Sequence, residues 1–201
     1  ADIDSYPDEP GRVDVIVVPD IKGKLPFDPF EPKAPINLLQ EIEGYLQEVS
    51  SPFAMIKVQN PSYIHLKVRF AVKFLPGKDI GFYLHQLNED LKRFLAPWAK
   101  DEGAENEFGG KVYTHAIVNF IDEREYVDYM AGMRIFTSTD GENFLPAAVN
   151  PSDGGIQTQK PSAIWVSARS HEIDTITENT FEAQSFDGVG HMRIELDFQI
   201  E

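Results

Sequence analysis

The chain has 201 residues and a formal net charge of −15, because 33 Asp and Glu residues outnumber 18 Lys and Arg residues. Hydrophobic residues make up 42% of the chain, a fraction that excludes global disorder and a collagen-like or coiled-coil composition. The acidity argues against nucleic acid and anionic membrane surfaces as partners, and the absence of cysteine excludes disulfides, thiolate zinc sites and cysteine nucleophiles.

The first 35 residues are rich in proline and predict an extended arm. Proline removes backbone donors and restricts the residue before it, so regular structure is disfavoured here. Two aromatic residues of the arm, Phe27 and Phe30, are expected to pin it to a surface. One strand is predicted within this region, at residues 13–18, and its nearly continuous apolar run indicates burial on both faces.

The next segments alternate between helical and extended patterns. Residues 35–49 predict a helix, and 54–58 a short strand. The buried stripe of this helix is expected to be Leu39, Ile42, Leu46 and Val49. Residues 62–74 predict a long strand with one buried face, because apolar side chains from Ile64 to Phe74 alternate with polar ones. The polar side chains of that strand are His65, Lys67, Arg69 and Lys73.

A second helix is predicted at residues 80–95, with Asp79 as its N-cap and a stripe of apolar side chains on one side. The pattern of residues 112–121 fits either a short helix or a strand, and both interpretations stay open. Strands are expected at 126–137, 163–168 and 191–200, and Asp140-Gly141 is a hairpin signal.

This order of elements predicts an α+β fold, an open-faced sandwich in which two or three helices cover one face of an antiparallel sheet. Residues 138–201 contain turns and short strands without a helical pattern, and they predict a β-rich C-terminal extension. We therefore expect an α+β core with its N-terminal arm over residues 1–137 and a β-rich tail over 138–201. Whether the tail packs on the core stays open at this point.

The sequence lacks the spacings of common catalytic and phosphate-binding motifs. The densest set of ligand-like side chains is His171-Glu172-x-Asp174, which would need a third donor such as His191 to hold a metal ion. A polar strand end is the preferred interpretation of that cluster. We expect no catalytic residue, no metal and no cofactor. No apolar run reaches the ~18 residues of a spanning helix, so membrane insertion is not expected either.

Charge is distributed unevenly along the chain. Residues 53–98 carry seven bases and three acids, a net of +4, which leaves −19 for the remainder. This asymmetry suits head-to-tail contacts between unlike surfaces, or pairing of the acidic tail with the sheet. An evenly solvated surface is the remaining alternative.

One combination of segments has a specific order and spacing. An amphipathic helix ends in Phe-Leu-x-Pro at residues 94–97, and an acidic loop leads from there to Phe-Gly-Gly-x-Val at 108–112. A helix over 39–46 and the alternating strand at 62–74 precede them. Over residues 36–130 the chain resembles the C-terminal part of the baseplate J family, wedge proteins of contractile phage tails and related contractile injection particles.

The resemblance implies a non-enzymatic, structural role in baseplate assembly. It implies other wedge subunits or copies of the chain itself as partners, in a virion or tail-like particle assembled in the bacterial cytoplasm. Members commonly have several hundred residues, so a C-terminal fragment is expected. The candidate interaction surface comprises Lys67, Arg69, Lys73, Phe27, Phe30 and Trp165. Two alternatives remain: an adhesin-type module that binds a surface glycan or protein through Trp165, and an enzyme built on a carboxylate pair or the His171 cluster.

Overall fold

A long central strand organises the protein. The computed structural model describes residues 11–20, 28–100, 108–158 and 160–177. The elements in chain order are β1 (Arg12–Ile16), α1 (Ile36–Val49), β2 (Met55–Gln59), β3 (Ser62–Phe74), α2 (Ile80–Leu95), α3 (Pro97–Lys100), β4 (Lys111–Tyr113), α4 (Thr114–Asp122), β5 (Val127–Ser138), β6 (Leu145–Pro146), β7 (Gly155–Gln157), β8 (Ala163–Ser167) and β9 (Glu172–Thr175). The α+β class is confirmed. None of the helices in this described part is long and apolar enough to cross a membrane.

The main sheet is mixed and not purely antiparallel as predicted. On one side β3 pairs antiparallel with β5, which in turn pairs with β6. On its other side β3 pairs in parallel with β8 and, further along, with β9. The prediction of an antiparallel sheet is wrong for this side, because alternation along 62–74 defines two faces but carries no information about the direction of a neighbouring strand.

The apolar face of β3 forms the centre of the core. Leu66, Val68, Phe70, Val72 and Phe74 pack there against two helices, as the alternation predicts. The helices contribute their fully buried side chains, which are Leu87 and Leu91 of α2 and Ile117 and Ile121 of α4.

The helix predicted at 80–95 is confirmed together with its cap. The carboxylate of Asp79 accepts a hydrogen bond of 2.7 Å from the backbone N–H of Phe82, which satisfies one of the free donors of the first turn. The ambiguous segment at 112–121 contains both structures in succession. The short strand β4 pairs with β7, and α4 begins directly after it.

A second, smaller unit consists of β1, β2 and α1, and we call it the small unit. Its two strands form a parallel two-stranded sheet, and α1 covers one face through Leu39, which packs with Val58. Val13 of β1 is 47% exposed, so the prediction that 13–18 is buried on both faces is wrong. Two strands and one helix provide cover for one face of β1 only.

Of the described strands after residue 138, β6, β8 and β9 join the main sheet, whereas β7 pairs with β4 in a separate two-stranded sheet. The hairpin signal is confirmed: Asp140 accepts hydrogen bonds from the backbone N–H groups of Glu142 and Asn143, and β6 follows antiparallel to β5. The strands β8 and β9 lie beside β3. The predicted strand at 191–200 lies outside the described residues, and the division into 1–137 and 138–201 stays a prediction.

Candidate assembly interface

The face of the sheet opposite α2 and α4 carries a row of cations. Lys67, Arg69 and Lys73 alternate along β3 with the buried apolar side chains, so they point to the other face. Arg134 of β5 lies directly across from Arg69 in the antiparallel register. We call these four residues the basic strip. Like charges directly opposite each other in a sheet are destabilising, so this pair favours a negative counterpart.

A glycine permits the irregularity beside this strip. Between the pairs Arg69–Arg134 and Ala71–Ala131, β5 has one residue more than β3, which makes a bulge. Gly132 sits in the bulge with φ of 68°, a left-handed conformation that other residues rarely adopt. The bulge shifts the register so that Tyr129 lies opposite Lys73.

Three carboxylates offset part of the charge of the basic strip. Glu172 of β9 lies 3.7 Å from Lys67 Nζ and 3.6 Å from Arg69 Nε, and Asp128 lies 3.8 Å from Lys73 Nζ. The third, Asp174, is registered beside Ala71. The ion pairs are solvent-accessible, so each contributes about 0–1 kcal/mol and leaves the cations available for other contacts.

Aromatic rings lie beneath two of these cations. Lys67 Nζ is 4.2 Å from the centre of the Phe144 ring, and Lys73 Nζ is 5.7 Å from that of Tyr129. Cations stacked on half-buried aromatic rings combine apolar area with charge. Such a surface suits a protein partner with carboxylates and apolar side chains.

The N-terminal arm covers the other end of this face. Phe30 is buried there with Tyr63, and the Tyr63 hydroxyl donates a hydrogen bond of 2.5 Å to the carbonyl of Pro32. His65 Nε2 lies 2.7 Å from Glu31 Oε1. The alternation predicts His65 on the polar face of β3, and the side chain is buried there with Glu31 of the arm against its ring. Phe27 lies outside the described residues.

The contact between the arm and β3 also shifts the pKa values of Glu31 and Tyr63. Burial raises the pKa of Glu31, but hydrogen bonds and charges from Lys33 and His65 outweigh it, so the pKa is lowered overall. Burial, with a smaller effect from the charge of Glu31, raises the pKa of the Tyr63 hydroxyl. Glu31 is therefore ionised and Tyr63 is neutral at physiological pH, which is the state that holds the arm in place.

Two of the three aromatic residues expected at a contact surface belong to the core of this chain. Phe30 and Trp165 are each 8% exposed. The Trp165 Nε1–H donates a hydrogen bond of 2.8 Å to the carbonyl of Gly110, which leaves its ring packed in the main core. Neither ring is available to a partner, so we leave both out of the interface. Lys67, Arg69 and Lys73 remain accessible in it.

A second exposed surface was missed by the sequence analysis. The predicted buried stripe of α1 included Val49, which is 63% exposed, and Tyr45 on the same side of the helix is 65% exposed. We call the side of α1 formed by Leu38, Glu41, Tyr45, Glu48 and Val49 the helix ridge. Helical spacing alone shows a wide apolar stripe, but it does not show that the two-stranded sheet beneath covers only half of it.

Residues 5–156, most of the chain, match the family of PVC11-like baseplate proteins. The chain belongs to this family of baseplate proteins. Its fold is also similar to that of a chain in the cryo-EM structure of the anti-feeding prophage (AFP) baseplate, 6-fold symmetrised, with a TM-score of 0.57 and 19% sequence identity. The similarity covers 83% of this chain and 32% of that one, so this chain spans about a third of the other's length. No curated protein matches.

In this baseplate protein, His171 and Glu172 of the cluster considered for metal binding have structural roles. His171 is buried, its Nδ1 accepts from the Val68 N–H, and its Nε2 lies 3.1 Å from Ser167 Oγ. Burial lowers the pKa of His171 to about 3, so the ring is neutral. Glu172 points to the basic strip, and His191 lies outside the described residues. Within the described residues no group of three or more His, Asp or Glu side chains could hold a metal ion.

Proposed function

We propose that this baseplate protein is a structural wedge component of a contractile phage tail or tail-like particle. It acts through contacts with neighbouring wedge subunits or with copies of itself, and it has no catalytic role. Support for the particle type comes from the fold shared with a chain of the anti-feeding prophage baseplate. Assembly in the bacterial cytoplasm and the narrower relation to the baseplate J family rest on the sequence pattern over residues 36–130 alone.

The observation that carries this proposal is the basic strip on an acidic baseplate protein. The strip has four cations against three nearby carboxylates, whereas the whole chain has a net charge of −15. Half-exposed aromatic rings lie among the cations. An acidic partner surface would relieve the repulsion between Arg69 and Arg134 and would be steered to this face by charge.

The test is charge reversal on the strip in the assembled particle. The double variant Lys67→Glu, Arg69→Glu should fold as the parent does but reduce the yield of complete particles at least tenfold. Electron microscopy and sedimentation of lysates measure that yield, and thermal unfolding of the purified chain verifies the fold. Lys78→Glu, an exposed change away from the strip, is the control and should leave assembly normal. Normal particles from the double variant would refute the proposed interface.

A second candidate function, glycan binding, has one observation in its favour. A groove of about 600 Å³ lies beside Tyr63, and its lining includes Thr137, Thr158, Lys160 and Trp165. The hydroxyl groups of Thr137 and Thr158 can exchange hydrogen bonds with those of a sugar. Binding on a glycan array that is lost in the variant Thr137→Val, Thr158→Val would support this function, whereas an array without signal would refute it.

A further inference from the structure

The small unit exposes an unusual amount of apolar surface. Ile36 is 69% exposed, Met55 is 59% exposed, and Phe53, in the loop after α1, is 87% exposed. Tyr45 and Val49 of the helix ridge are exposed to a similar degree. Scattered apolar side chains are normal on protein surfaces, and others such as Phe82 and Leu145 are exposed outside the small unit. In the small unit, however, they follow one another closely from α1 through the loop into β2. This part of the chain is therefore a candidate for a protein contact.

The charges on α1 specify what kind of surface covers the ridge. The helix has three acidic residues and no basic residue. Glu43 is occupied, because it accepts a hydrogen bond of 2.9 Å from the N–H of Val58. Glu41 and Glu48 are exposed and lie four residues before and three residues after Tyr45, which places them on the same side of the helix. The covering surface must therefore combine cations with apolar or aromatic area.

The basic strip of this same protein has that combination. It places Lys67 over Phe144 and Lys73 over Tyr129, and it includes Arg69 opposite Arg134. A carboxylate placed between the two arginines would separate their like charges.

The dimensions of the two surfaces also agree. Glu41 and Glu48 are seven residues apart in α1, a rise of about 10 Å along a helix. Arg69 and Lys73 are four residues apart in β3, a separation of about 13 Å along a strand. Two carboxylates of the ridge can thus reach Arg69 and Lys73 at once, while Tyr45 faces the Tyr129 ring opposite Lys73.

We propose that the helix ridge of one copy of this protein docks on the basic strip of a second copy. The two surfaces share no residue, so the contact is head-to-tail. An open assembly then has one unused ridge at one end and one unused strip at the other, until a ring closes. This inference rests on the proposed assembly function and names a second copy as the partner of the basic strip.

The experiment measures self-association of the full chain by analytical ultracentrifugation. We expect the parent chain to associate in a concentration-dependent manner. The ridge variant Glu41→Lys, Glu48→Lys and the strip variant Arg69→Glu, Lys73→Glu should each weaken association at least tenfold. The control Asp122→Lys, Glu123→Lys changes the net charge as much as the ridge variant does, at exposed positions at the end of α4. It should associate at least as strongly as the parent chain.

Mixing the two variants is the decisive step. Each reversed surface then meets a complementary surface on the other variant, so an equimolar mixture should recover association to within about threefold of the parent chain. Failure of the mixture to recover would overturn the proposal and indicate that other subunits, or other segments of the chain, cover the ridge.

Failure of this contact can be distinguished from failure of the proposed function. A parent chain that stays monomeric at all concentrations, while Lys67→Glu, Arg69→Glu still prevents particle assembly, would overturn the second copy as partner and leave the assembly function standing. Self-association that follows the expected pattern, with normal particles from the Lys67→Glu, Arg69→Glu variant, would support the contact and refute the role of the strip in the baseplate.

Discussion

The main sheet and the small unit bury their apolar side chains to very different extents. In the main sheet, β3 is flanked by strands on both sides and α2 and α4 cover its apolar face, so several side chains there are completely buried. In the small unit, one helix covers two strands, and three buried residues form its cluster. The main sheet therefore has a core of its own, whereas the small unit is only half covered within this chain.

The largest effect is expected in the main core. Leu87→Ala in α2 removes a side chain that is fully buried between the helix and the sheet. The lost burial and the cavity together should reduce the free energy of unfolding by about 3–5 kcal/mol. Chemical denaturation measures this. A loss below about 1 kcal/mol would contradict the assignment of α2 to the centre of the core.

The matched substitution in the small unit should have a smaller and more local effect. Leu39→Ala removes the most buried side chain of α1, at an expected cost of about 2 kcal/mol. Because the cluster of the small unit is separate, hydrogen exchange should accelerate in α1 and β2 while amides of β3 and β5 keep their protection. Equal acceleration in both regions would show that they unfold as one and that the small unit has no separate core.

The stability of the main sheet should depend on pH through the buried side chain of His171. An unfolded His171 has a pKa near 6.5, whereas burial, with Lys92 and Lys67, lowers the pKa in the folded protein to about 3. Between these values the unfolded state binds the extra proton, so the contribution of His171 to stability is complete above pH 6.5 and is lost as the pH falls.

The variant His171→Asn isolates this effect, because its amide oxygen can still accept the hydrogen bond from Val68. Between pH 7 and pH 5, the parent protein should lose about 2 kcal/mol more stability than the variant does. Denaturant titrations at both pH values test this. Parallel losses in the two proteins would mean that the imidazole is not buried in its neutral form.

The smallest effect on folding is expected on the exposed side of α1. Tyr45→Ser should change the free energy of unfolding by no more than about 0.5 kcal/mol, because the side chain has little cover within the chain. Thermal unfolding of the dilute protein gives this value. A loss above about 1.5 kcal/mol would mean that Tyr45 belongs to a core and would remove it from the helix ridge.

Local patterns were sufficient to predict most elements of the main sheet. The alternation at 62–74 and the capped helix after Asp79 are local signals, and both were confirmed. The parallel pairing of β3 with β8 and β9 was not predicted, because it joins segments separated by about a hundred residues and leaves the alternation of side chains unchanged.

The candidate interface could be predicted only in part. The cations on the polar face of β3 follow from alternation, and their accessibility agrees with it. Burial of Phe30 and Trp165 depends on the path of the arm and on the hydrogen bond to Gly110, which no local pattern contains. Exposure of Val49 could not be predicted either, since it depends on how many strands lie beneath α1.

The outer edge of β2 limits how copies of this protein can join. Its outward N–H groups, at Ile56 and Val58, are already taken by the side chains of Gln47 and Glu43 from α1. A foreign strand therefore finds no free donors at these two positions, and open-ended growth by strand addition, the route to fibres, is blocked there. Along this edge, side chains and not backbone pairing must carry any contact with another copy.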